Sequence, residues 1–215
     1  MINAMGKMEI PLYHGTSDFF LGKIQEHGLG GYRDSSLFDK GVLSELACKL
    51  SDASNPTDWW QHHSFIVTPM LEEGITNGGF NFRHGGTYLT PAKSTACRYA
   101  TSNRLGSEFI DTVYHAYTAL ASVNASEAER IVPNNHPLMA AFQNTWKPVV
   151  IALNGVDSQI LRTEEGETIG DQLAQMGRVR EATEGIDPEI IWQQCNFELV
   201  SPVEWELLEV SFVSE

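Results

Sequence analysis

Strand-like and helical segments are mixed along this 215-residue chain without alternating as regular βαβ units, and that order most limits what it can fold into. EIPLYH (9–14) reads as a strand. A helix is predicted over 17–27, with Ser17 as its N-cap, Phe20 and Ile24 on one face, and Gly28 as its stop. Residues 37–50 place Leu37, Phe38, Val42, Leu43, Leu46, Ala47 and Leu50 at helical spacing, the clearest amphipathic pattern in the chain. The stretch 51–63 reads as loop, SFIVTPM (64–70) as a short strand, and GGFNFRHGG (78–86) as a glycine-punctuated loop or hairpin leading into the strand TYLT. Helices are predicted over 93–101, 107–121 and, as a polar surface helix, 168–182. KPVVIALNG (147–155) reads as a buried strand, rich in β-branched residues and bounded by Pro148 and Gly155. NFELV (196–200) and WELLEVSFV (205–213) read as two strands split by Ser201-Pro202. The expected class is therefore α+β rather than a doubly wound sheet.

A chain of this length can bury a substantial core and is expected to form one domain. Residues 157–215 hold 14 Asp and Glu against three Arg and no Lys, so most of the formal charge of −14 sits in the last third. Such a surface repels phosphate backbones and argues against a non-specific nucleic-acid binder. A solvated acidic face is the ordinary reading, and a basic partner protein the alternative. Cys48, Cys97 and Cys195 are scattered, without metal-ligand spacing, and read as reduced structural thiols. No run of about 18 apolar residues is present, and MINAMGKMEI lacks a signal-peptide core, so a cytoplasmic protein is expected, with secretion as an effector left open.

Three separated segments carry polar or aromatic groups on or beside strand-like runs: Tyr13-His14-Gly15-Thr16, Gly86-Thr87-Tyr88-Leu89-Thr90, and Asn196-Phe197-Glu198-Leu199-Val200. His14 can give a directed hydrogen bond from a strand end. Gly15 lets a ligand approach the backbone, so that its N–H and C=O can hold a planar amide. Tyr88 offers a stacking face and a hydroxyl, and Glu198 a carboxylate in an apolar strand. Taken singly, each has an ordinary structural reading: a satisfied histidine, a packed tyrosine, an outward-facing glutamate.

Together, in this order, they resemble the ADP-ribosyltransferase superfamily, in its histidine–tyrosine–glutamate branch of poly(ADP-ribose) polymerases and diphtheria-like toxins. LYHGTSDFFLGKIQEHGL is similar to its first strand and helix, and GGTYLTPAKSTACRYA to its tyrosine strand and the helix after it. NFELVSPVEWELLEVSFV is similar to its glutamate strand and terminal hairpin. The resemblance implies a split, mainly antiparallel sheet within one domain spanning 1–215, with insertions at about 30–80 and 120–190. It implies NAD as substrate, with no metal. His14 would hold the nicotinamide ribose, the Gly15 backbone the carboxamide, and Thr16 would line the same site. Tyr88 and Tyr99 would sandwich the nicotinamide ring, and Glu198 would bond the ribose 2′-OH and stabilise the oxocarbenium-like centre. The small hydroxyl residue common three positions before the second tyrosine is Ala96 here, with Thr95 adjacent. Glu204 and Glu206 form a Glu-x-Glu pair like that of the arginine–serine–glutamate branch. Glu198 is preferred, because WELLEVSFV then follows it as the hairpin requires.

The first motif also resembles the RNA 2′-phosphotransferases, which share the fold and use NAD. Those read His-x-His-Leu-Ser, with basic residues nearby, where this chain has Gly-Thr-Tyr-Leu-Thr, so Tyr88 favours ADP-ribosyl transfer. Transfer of a single unit is expected, as no acceptor-site loop for polymer is identified, and a protein acceptor is slightly favoured. NAD hydrolysis and a non-catalytic binding module stay open. His62, His63 and His84 read as exposed loop residues, GGYR (30–33) as a turn rather than a phosphate loop, and Trp59-Trp60 as core.

Overall fold

A computed structural model describes residues 2–72, 86–103, 105–164, 168–183, 185–193 and 195–213. In chain order, β1 (Leu12–Ser17) passes through a 3₁₀ turn into α1 (Leu21–His27), followed by α2 (Lys40–Ser51) and α3 (Asp58–Glu72). Next come β2 (Thr87–Leu89), α4 (Lys93–Ser102), α5 (Glu108–Val123), α6 (Ala125–Ile131) and α7 (Pro137–Phe142). The remainder is β3 (Pro148–Leu153), β4 (Leu161–Thr163), α8 (Ile169–Ala182), α9 (Pro188–Trp192), β5 (Phe197–Leu199) and β6 (Leu208–Phe212). The fold is α+β, with two three-stranded sheets in which every strand pair is antiparallel. No helix among the described residues is long and apolar enough to cross a membrane.

The chain divides into two compact units. One comprises Met1–Tyr32, Gly86–Gly106 and Trp146–Glu215 and carries the strands named above. Its first sheet has the order β1-β3-β6 and its second β2-β5-β4. The central β3 is buried on both faces, which is why KPVVIALNG shows no alternation. Val149, Ile151 and Leu153 join the main core with Leu12, Leu89, Leu161, Phe197 and Leu199. Val150 points the other way, onto Ala96 and Ala100 of α4. Burying Phe197 and Leu199 is worth about 1.5–3 kcal/mol each, enough to pin the short β5 in place.

The other unit, Arg33–Gly85 with Ser107–Thr145, is helical in its described residues. Val42, Leu43, Leu46 and Leu50 of α2 are buried, as are Phe109, Ile110, Val113, Ala116 and Leu120 of α5. The two helices pack together through these stripes.

Several local expectations need correction. SFIVTPM is not a strand: Val67 and Met70 are buried three residues apart within α3, which begins at Asp58 inside the expected loop. A short apolar run cannot reveal its own period. The helix expected from 37 begins at Lys40, capped by Asp39, whose Oδ1 accepts from the Gly41 N–H at 2.8 Å. Ser17 does not cap with its side chain; its hydroxyl donates to the Leu105 carbonyl at 3.1 Å. His62 and His63 lie on α3 rather than in a loop, and Trp59 and Trp60 are half-buried. The terminal hairpin is absent: β5 pairs with β2 and β4, while β6 pairs with β3. Between them Leu29 and Val203 form an antiparallel bridge that turns the chain from one sheet to the other. Most of GGFNFRHGG, His84 included, lies outside the described residues.

Candidate functional site

The two sheets meet at one isolated bridge. Tyr13 N–H donates to the Thr90 carbonyl at 2.8 Å, and Thr90 N–H to the Tyr13 carbonyl at 2.9 Å. In a continuing antiparallel ladder the next pair on this edge would be Gly15 with Tyr88. That pair does not form, because the Tyr88 carbonyl accepts instead from Nδ1 of His14 at 2.9 Å. The strands therefore fork beyond Tyr13, with the imidazole set in the fork. Alternation along β1 turns residues 12, 14 and 16 to β3 and leaves the N–H and C=O of Gly15 facing the fork. A planar amide carrying both a donor and an acceptor matches that pair.

The state of His14 follows from its partner. A carbonyl can only accept, so Nδ1 carries the proton, and in the neutral ring Nε2 is left as an acceptor. Burial pushes the imidazole pKa below its ordinary value near 6.5 and outweighs the opposing bond to Tyr88. The neutral ring is thus present at physiological pH, ready to receive a hydroxyl. On acidification the unfolded chain takes up this proton before the folded one. The His14 contribution to stability is therefore full above about pH 6.5 and is lost as pH falls through the folded value. NMR titration should give a His14 midpoint below the ordinary histidine value near 6.5; a midpoint at or above that value would contradict this environment.

The second sheet brings three polar side chains into a row. Tyr88 lies directly across from Glu198, and Glu198 directly across from Arg162. Cross-strand partners share a face. The intervening Leu89, Phe197, Leu199 and Leu161 are buried in the core, whereas Tyr88, Glu198 and Arg162 are half-buried on the opposite side. A Cβ at Gly86 would lie 2.8 Å from Glu198 Oε1 and 3.1 Å from Cε2 and Cζ of the Tyr88 ring. Carboxylate and ring therefore both close on the bare backbone of Gly86.

Strand parity extends this row towards α4. Tyr13 and Thr90 share a face, so Gly15 and Tyr88, each two residues along, lie on that same face. It is the face α4 covers, since a Cβ at Gly15 would meet the Ala96 carbonyl. The absent Cβ of Gly15 thus serves helix packing, while its backbone edge faces the fork. Tyr99 lies three residues after Ala96, beside the packed stripe, and is 38% exposed. Glu189 of α9 holds the start of α4, accepting from the Ser94 N–H, and hydrogen bonds from the Ser94 hydroxyl and then its N–H keep the Glu189 pKa below the usual carboxylate range.

Of the residues singled out in the sequence, His14, Gly15 and Tyr88 border the fork, Glu198 pairs with Tyr88 from the next strand, and Tyr99 lies on α4. Thr16 is buried, with its hydroxyl donating to the Gly106 carbonyl at 3.4 Å. Thr95 buries its hydroxyl without a hydrogen-bond partner among the described residues. Glu206 sits exposed in a single 3₁₀ turn between β5 and β6, and Glu204 is its cap. β5 and β6 form no hairpin, and what sets Glu198 apart from Glu206 is its cross-strand pairing with Tyr88. Arg162 was not legible, because β4 is three residues long and offers no period to read. Among the described residues no group of three or more His, Cys, Asp or Glu is placed to hold a metal. The chain matches no protein-family model, no curated protein and no solved structure.

Proposed function

We propose that the strand-bearing unit is an ADP-ribosyltransferase-like domain that binds NAD in the fork between β1 and β2 and breaks its nicotinamide–ribose bond. The observation that carries this reading is the fork itself: His14 bonds the Tyr88 carbonyl where the ladder should continue, with Glu198 directly across from Tyr88. Nicotinamide enters with its carboxamide on the N–H and C=O of Gly15 and its ring on Tyr88, with Tyr99 on the α4 side. Neutral His14 accepts a ribose hydroxyl at Nε2. As the C1′–N bond lengthens, positive charge builds on the sugar, and the fixed Glu198 carboxylate stabilises it. Holding ring and ribose together supplies the orientation part of the rate. ADP-ribose then passes to an acceptor in a single transfer; transfer to water would make the same site an NAD hydrolase.

Calorimetric titration with NAD tests the binding step. Tyr88→Ala should weaken NAD affinity about tenfold or more, the loss expected when one stacking face is removed. Equal affinity in that variant would mean the ring does not stack there.

A further inference from the structure

We propose that the outer edge of β6 is a self-pairing surface, through which two copies of this chain associate by antiparallel pairing of β6 with β6 about Val210, whatever the fork binds. β6 ends its sheet: the strand order is β1-β3-β6, and no described strand pairs with its other side. Val213 N–H donates to the Pro148 carbonyl at 3.0 Å. Antiparallel alternation then turns the backbone groups of Glu209, Ser211 and Val213 to β3, and those of Leu208, Val210 and Phe212 outward. The Leu208 N–H is taken by the Trp205 carbonyl in its own turn. The N–H and C=O of Val210 and Phe212, with the C=O of Leu208, have no backbone partner among the described residues.

Native edge strands are commonly blunted by lysine, proline or a bulge. LEVSF has none of these: its register with β3 is unbroken, its one charge is Glu209, and Phe212 is 57% exposed. What selects a second copy as the occupant is that the strand complements itself. Pairing about Val210 sets Val210 against Val210 of the second copy, Leu208 against its Phe212, and Glu209 against its Ser211. Moving the axis to Glu209 would place two carboxylates directly opposite each other, and moving it to Ser211 would take Leu208 off the strand it should meet. The charges at the ends agree with this register. Lys147 Nζ lies 6.0 Å from the centroid of the Phe212 ring, and antiparallel pairing brings that ammonium to the end of the second copy that carries Glu204 and Glu206.

The joint makes one continuous sheet of two three-stranded halves, with β1 at each outer end, so both forks lie at the far edges. Association is weak at low salt, because each copy carries a charge of −14 and the contact is confined to a five-residue strand and its ends. Screening of the like charges strengthens it.

Sedimentation equilibrium of the full chain over a range of concentrations, at low and high NaCl, tests the proposal, with amide exchange followed residue by residue. The expected result is a reversible monomer–dimer equilibrium that tightens with salt. The Val210 and Phe212 amides should slow as dimer forms, whereas those of Leu208, Glu209 and Ser211, turned to partners within the chain, should not change. Ser211→Lys, directly opposite Glu209 of the second copy, should tighten the dimer about 2- to 30-fold, and Ser211→Glu should loosen it by a like factor, since each dimer holds that pair twice. The exchange pattern needs no substitution and decides the matter if either variant fails to fold. A monomer at every concentration and salt would overturn the proposal. So would a dimer whose Val210 and Phe212 amides exchange as in the monomer, or one that the two Ser211 variants form equally well.

Discussion

Gly15→Ala is expected to be the most damaging single-atom addition near the fork. The new Cβ would lie 2.1 Å from the Ala96 carbonyl oxygen, 3.0 Å from its carbon and 3.1 Å from the Ala100 nitrogen. All three are backbone atoms, so no side-chain rotation relieves the clash. Helix α4 must retreat by roughly an ångström to restore ordinary contact, losing the packing of Ala96 and Ala100 on Val150. Overpacking of this kind costs about 3 kcal/mol, which at about 2–4 °C per kcal/mol lowers the thermal midpoint by roughly 6–12 °C. Gly22→Ala provides the contrast. Gly22 lies exposed in α1 with nothing within 4 Å of an added Cβ, so alanine there should stabilise by up to about 1 kcal/mol. Thermal unfolding of both variants checks the argument. If Gly15→Ala melts with the wild type, the close approach of α4 to β1 is not as described.

Glu198→Gln should have the largest effect on turnover. The substitution keeps shape and volume, and the side chain is half-buried on the polar face of β5, so the fold should be untouched. What disappears is the negative charge facing the developing cation. Loss of one preorganised electrostatic contact of this kind costs about 100- to 1,000-fold in rate. Nicotinamide release should fall by that factor while NAD affinity changes far less, because the charge matters most in the transition state. Glu206→Gln, in its exposed turn, should leave release as in the wild type. A reversal of the two results would move the carboxylate to Glu206.

The legible parts of the sequence were those with a local cause. α1 carries its own pattern, KPVVIALNG is unambiguous as a buried strand, and the helix after Tyr88 begins at Lys93 as expected, whereas β1 runs over Leu12–Ser17 rather than 9–14. The order of His14, Tyr88 and Glu198 on strands could be read, but not why they come together. That depends on one bridge, Tyr13 to Thr90, between residues far apart in the chain. The separation of β5 from β6 depends likewise on Leu29 with Val203, which no local pattern announces. Arg162 is illegible for a related reason: its place beside Glu198 comes from strand pairing, not from its neighbours in sequence. SFIVTPM failed differently, since its apolar residues suit either period and its helix is set by packing in α3.

Nicotinamide release from NAD by the intact wild-type chain tests the central claim most directly. The account predicts release well above the spontaneous rate, inhibited by added nicotinamide and lost in Glu198→Gln. A chain that neither binds NAD in calorimetry nor releases nicotinamide would contradict it.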